Sequence, residues 1–188
     1  MYAIVHTEAA ECSHVLADAG FEIVMKDSPV AKKDIEGEFL RKHIHREWCC
    51  GEAEFIKLYA YMLSEPVVVH MDMDFAIHQP MDDIFNVMLS NDPVTVQAAK
   101  SRIPLERPTD SWPERTDAFM TRDWPQVMPG RKAGYQAGFL VVRPDKQVFD
   151  EIVAVIKKGD YVEGFQHENG WGGAGYGGFV GAMAMRKL

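Results

Sequence analysis

Asp72 and Asp74 stand one residue apart at the end of the short apolar run Val67-Val68-Val69-His70-Met71. The run reads as a buried strand, and side chains at i and i+2 of a strand share a face. The two carboxylates are therefore expected to project together from the strand's C-terminal end, where ligands bind in open α/β sheets. No basic partner nearby in sequence relieves their repulsion, and a divalent cation is the usual remedy. Hard oxygen ligands suit Mg²⁺ or Mn²⁺, shared with substrate phosphates. An Asp-x-Asp met alone is more often an acidic surface turn. Here the apolar strand before it and helical patterns on either side favour a site.

The elements that must position this pair can be read from periodicity. Phe55, Leu58, Tyr59 and Met62 form one stripe of an amphipathic helix over Glu52–Leu63, closed off by Pro66. After the acids, Gln79 to Phe85 reads as a turn and a short helix with Asp82 and Asp83 in its first turn. Near the N-terminus, a strand at Tyr2–Val5, a helix at Ala9–Ala19 ended by Gly20, and a strand at Phe21–Met25 predict a parallel βαβ unit.

Lys32 to Trp48 is highly charged, either a solvated face or a patch for phosphate. Ala137 to Pro144 is another strand, and Phe149, Ile152, Val153 and Ile156 mark another helix. Between about 100 and 132, prolines and two tryptophans, Trp112 and Trp124, predict a long loop whose rings either stack on sugars or anchor the loop. Residues from about 164 to 181 are dense in glycine, as a loop closely approaching a ligand or a plain flexible tail would be.

A chain of 188 residues suits a single domain with a real core. Its formal charge of -8 argues against nucleic acid and anionic membranes as general partners. No apolar run is long enough for a membrane span, and Met1 to Val5 reads as a strand, not a signal peptide. Cys12, Cys49 and Cys50 match neither a disulfide framework nor a zinc spacing, which fits a reducing compartment slightly better.

Lys57-Leu58 in a helix, the strand ending in Asp72-Met73-Asp74, and Pro80-Met81-Asp82-Asp83-Ile84-Phe85 together resemble glycosyltransferase family 8, the glycogenin-like group. Gln136-Ala137-Gly138-Phe139-Leu140-Val141-Val142-Arg143-Pro144 is similar to that family's second motif, and Gly170-Trp171-Gly172-Gly173 to algal and plant-type members. The matching stretches run over roughly 50 to 90 and 120 to 183, and their order and spacing are more specific than any one motif.

The resemblance implies an α/β fold, a Rossmann-like GT-A sheet flanked by helices, as one domain over 1–188. It implies a retaining hexosyl transfer from a UDP-sugar donor to an acceptor, with Mn²⁺ or Mg²⁺ as cofactor. Asp72 and Asp74 would hold the metal, Asp72 also lying near the donor. Lys57 would face the donor, and Gln136 and Gly138 would contact sugar or acceptor. No nucleophile or base is assigned. A cytoplasmic or Golgi-lumenal setting fits such a chain. Compared with the family, the sequence is expected to start at the second strand and to lack the closing segment with its metal-binding histidine and phosphate-binding lysine.

Two rivals stand beside this reading. A haloacid-dehalogenase-like phosphohydrolase also places Asp-x-Asp after an apolar strand, but Ala76 replaces the Thr or Val expected there, and the pair lies far from the N-terminus. A non-catalytic GT-A-like binding or assembly module accounts for the missing ends.

Overall fold

Tyr2–His6 forms β1 and Glu22–Lys26 forms β2, and they pair in parallel from Tyr2 opposite Glu22 to His6 opposite Lys26. The computed structural model describes residues 1–44, 51–73, 75–105, 110–122 and 135–159. Asp74, Cys49, Cys50, Trp124 and the glycine-dense 164–181 segment lie outside them. The expected strand–helix–strand order is present, but its helix begins as a 3₁₀ turn, Thr7–Cys12, and becomes α1 only at Ser13–Asp18. His6 Nδ1 caps that turn by accepting the Glu8 N–H. Gly20, at φ 89°, takes the left-handed conformation that stops the helix before β2.

The chain divides into two compact units, Met1–Met62 with the chain from Asp145 onward, and Leu63–Pro144. In the first, β1 and β2 are joined by α2 (Glu38–His43) and by a 3₁₀ helix over Gly51–Met62. The last described helix also belongs here; it spans Lys146–Lys158 and is labelled α5 below. Val30, Ile35, Leu40, Ile44, Phe55, Leu58, Ile152 and Ile156 form the buried set.

The amphipathic stripe expected over Glu52–Leu63 is partly corrected. Phe55 and Leu58 are buried, but Met62 is exposed and Tyr61 is buried in its place. In a 3₁₀ helix residues three apart eclipse, so Phe55, Leu58 and Tyr61 line one row instead of an α-helical face. Of the charged stretch from Lys32, the exposed Arg41 acts as a tether, its Nη1 donating to the Ile35 and Glu36 carbonyls at 2.9 and 3.1 Å.

The α5 boundaries follow its sequence. Asp145 accepts the Gln147 N–H at 2.7 Å as an N-cap, and Gly159 closes the other end at φ 57°. Its last carbonyls are satisfied across the unit: Glu36 N–H donates to Lys157 at 2.7 Å and Gly37 N–H to Lys158 at 3.0 Å. The backbones are so close there that a Cβ on Gly37 would lie 1.9 Å from the Gly159 carbonyl oxygen.

In the second unit, β3 (Val68–Met71), β5 (Tyr135–Val142) and β4 (Ala118–Arg122) form a sheet in the order β3-β5-β4, both outer strands antiparallel to β5. Phe139 and Val141 pack with Met88 of α3 (Asp82–Leu89), and Val69, Met81, Ile84 and Phe119 close around them. Leu140 and Val142, on the opposite face of β5, are also fully buried. Burial on both faces explains the unbroken apolar run Phe139–Val142.

The single long loop expected over about 100–132 is corrected. Helix α4 (Pro93–Arg102) extends into it, and β4 lies within it. Asp92 is the N-cap of α4, accepting from the Val94 and Thr95 N–H groups, with Pro93 in the first turn. Trp112 is an anchor: it meets Phe119 edge-on at 6.2 Å between ring centres, and Lys100 Nζ lies 5.4 Å from its ring centre. Across the two units, the strands described form one parallel pair and one antiparallel trio, a mixed α/β architecture of small sheets with helices.

Gly37→Ala is expected to destabilise the protein by about 2 kcal/mol or more, since backbone must shift to admit the methyl group. Urea unfolding measures this, and an unchanged midpoint would show that the contact is not tight. Arg102 of α4 grips Asp83 of α3 with Nε and Nη2 at 2.5 to 3.0 Å, and these hydrogen bonds hold the Asp83 carboxyl below its ordinary pKa. A depressed carboxylate pKa stabilises the fold above the unfolded-state value and loses that effect as pH falls through the folded one. The difference in thermal midpoint between the unaltered protein and Asp83→Asn should therefore be present at pH 7 and close below about pH 4. A pH-independent difference would contradict the link.

Candidate functional site

Strand β3 ends at Met71, and the chain turns at once. Asp72 still continues the ladder with β5, its N–H donating to the Gly138 carbonyl at 2.8 Å, one step beyond the Met71–Phe139 pair. The Phe75 N–H then donates back to the Asp72 carbonyl at 3.2 Å. The Phe75 ring stacks on Phe139 with centres 4.8 Å apart and planes 18° from parallel. The acid-bearing turn is thus clamped to β5 on both sides, by a backbone hydrogen bond before it and a ring stack after it.

Opposite that clamp, β5 is irregular. Met120 pairs with Leu140, but the next residue, Thr121, pairs with Gln136, so β5 carries extra residues between these points, Gly138 among them. A bulge bends a strand and re-aims its neighbours, and such irregularities recur beside active sites. Thr121 Oγ1 is buried here and finds no hydrogen-bond partner among the described residues.

The Asp72 side chain is 36% exposed, open to an ion from solvent, and its Oδ1 lies 3.6 Å from Nε2 of His70. His70 precedes it by two positions on the same face of the strand. The neighbouring surface is apolar: Met71, Met73, Phe75 and Ile77 are all exposed.

The sequence-derived site residues fall out unevenly. Asp72 and Gly138 are joined by a backbone hydrogen bond, and Gln136 lies two residues from Gly138 on β5. Asp74 lies outside the described residues, and side-chain alternation along the strand stops at Met71 because Asp72 opens a turn. Lys57 belongs to the other unit. Its Nζ is 3.3 Å from Glu54 Oε1, with the two side chains only 12% and 10% exposed. His70 and Phe75 were not picked out from sequence. The i, i+2 rule that linked Asp72 to Asp74 points equally to His70, whereas nothing local to Phe75 foretells its stack on a residue 64 positions away.

The described part of this turn offers one hard, solvent-reachable carboxylate, Asp72, on a braced backbone. Among the described residues, no three His, Cys, Asp or Glu side chains converge on one point. Nor is any described helix long and apolar enough to cross a membrane. No family model, curated protein or solved structure gives a significant match to this chain.

Phe75→Ala should release one side of the clamp at a cost of ~1 kcal/mol, raising amide exchange at Asp72 roughly fivefold. Unchanged exchange would mean that the hydrogen bond to Gly138 alone holds the turn.

Proposed function

We propose that the chain is a metal-dependent glycosyltransferase domain of GT-A type, moving a hexose from a UDP-sugar to an acceptor with retention at the anomeric carbon. The observation that carries this reading is the braced, solvent-reachable carboxylate of Asp72 at the end of β3, beside the irregular stretch of β5 around Gly138. The parallel β1–β2 pair agrees with a Rossmann-like start to the fold. The sequence likeness to glycosyltransferase family 8 supplies the assignment of Asp74 to the same ion.

Asp72 and Asp74 would hold Mn²⁺ or Mg²⁺, whose charge, when bound, offsets the negative charge that develops on a departing diphosphate. The protein's own part is positional. The Gly138 carbonyl and the Phe139 ring hold the turn, so that the Asp72 carboxylate would meet the cation without first having to be ordered. Gln136 and Gly138, on β5, would contact the sugar or acceptor.

One observation favours a second reading, a non-catalytic binding module. Lys57, the residue assigned to the donor by resemblance, already has its charge offset by Glu54 in a largely buried pair. Breaking such a pair leaves an uncompensated charge. A purely structural Lys57 predicts that Lys57→Ala lowers thermal stability and leaves nucleotide affinity unchanged.

Titration calorimetry with UDP, in the presence and absence of Mn²⁺, separates these readings. A transferase predicts Mn²⁺-dependent UDP binding that is abolished in Asp74→Asn with the melting temperature unchanged. It also predicts that Lys57→Ala weakens binding by about 1.5–3 kcal/mol, one charge-assisted contact. UDP binding indifferent to both Mn²⁺ and Asp74→Asn would overturn the metal site.

A further inference from the structure

The second unit holds a cavity of about 310 Å³ that the glycosyltransferase reading does not use. It lies at the far end of the three-stranded sheet from Asp72. Arg143 in its wall follows Val142, the residue paired with the first position of β3, whereas Asp72 is bonded to Gly138. The five steps of chain from Gly138 to Arg143 span roughly 15 Å.

Three cations line this cavity, Lys100, Arg115 and Arg143, and each is braced by a contact that leaves other N–H groups unspent. Arg143 donates from Nε to the Thr116 carbonyl at 3.2 Å and from Nη2 to the Met88 carbonyl, so its Nη1 has no partner among the described residues. Arg115 holds Asp117 through Nε at 2.7 Å, with both terminal nitrogens left over. Lys100 Nζ is steadied at 3.4 Å from the Pro113 carbonyl and above Trp112.

Two carboxylates partly offset these charges, Glu114 in the wall and Asp117 behind the arginines, which leaves a single positive charge over. That is unusual on a chain of net charge -8. The rest of the lining is more polar than apolar, with Ser90 and Asn91 beside the apolar Leu89 and Val96. Thr116 adds a buried hydroxyl that has no partner among the described residues.

The geometry points to a binding site for a small organic monoanion, a carboxylate on a compact apolar body. One surplus positive charge matches one carboxylate, and braced guanidinium groups present paired donors to its two oxygens. The volume is at the lower end of small-molecule pockets, which suits a compact ligand. Leu89 and Val96 give a small apolar body contact that inorganic phosphate cannot use, and the cations give a carboxylate a partner that a bare alcohol lacks. This site is independent of Asp72 and needs no metal.

The test uses hexanoate, hexanol and inorganic phosphate as probes on the full chain, followed by amide NMR shifts. Hexanoate is expected to shift the Lys100, Arg115 and Thr116 amides saturably, with hexanol and phosphate each binding at least tenfold more weakly. Arg115→Gln and Lys100→Gln, both at solvent-reachable positions, should each weaken hexanoate by about tenfold or more, the worth of one hydrogen bond to a charged group. Absence of saturable binding, phosphate binding as tight as hexanoate, or hexanoate affinity unchanged in Arg115→Gln would each overturn the proposal. None of these outcomes bears on UDP or Mn²⁺ binding at Asp72.

Discussion

The hydrogen bond from the Asp72 amide to the Gly138 carbonyl decides where the acid stands. It is the last rung of the β3–β5 ladder, and past it the chain departs into a turn. Without that rung, β3 would fray at Met71 and the carboxylate would sample solvent with the freedom of any loop residue. With it, the acid is tied to the central strand of the sheet, itself buried on both faces. The Phe75–Phe139 stack supplies the matching restraint on the other side of the turn. A carboxylate that must meet an ion gains most when its backbone needs no reordering, and both restraints serve that end.

Much of the scaffold was legible because it depends on local pattern. The α5 stripe lies within one stretch of chain, and the apolar run of β5 reflects burial on both faces. Helix α4 did not stand out in the sequence, because its apolar periodicity is weak, although Asp92 and Pro93 are a local start signal. Strand β4 is different. Ala118–Arg122 has little strand pattern of its own, is bordered by prolines in sequence, and exists through pairing with β5, far along the chain. Nothing in a window of ten residues could show that.

The site was legible in part for the same reason. An apolar run ending in an acid marks a strand end, and Asp72 is at one. Alternation along a strand, however, says nothing about where the strand stops, and the turn that opens at Asp72 cannot be read from it. The Gly51–Met62 helix carries a similar lesson. Apolar residues at three- and four-residue spacings fit both α and 3₁₀ winding, and only packing determined that Tyr61, not Met62, turns inward. Lys57 illustrates the limit for charge, since a basic residue that looks available in sequence is held by Glu54 three positions earlier.

Placement of a cation at the β3 turn is tested most directly by adding Mn²⁺ with UDP to the isotopically labelled protein and reading paramagnetic broadening amide by amide. A cation held by Asp72 predicts that the signals of Asp72, Met73 and Gly138 vanish first and that those of Thr116 and Arg143, at the other end of the same sheet, persist longest. Broadening centred instead on Asp82 and Asp83 at the start of α3, or spread evenly over all acidic residues, would contradict it.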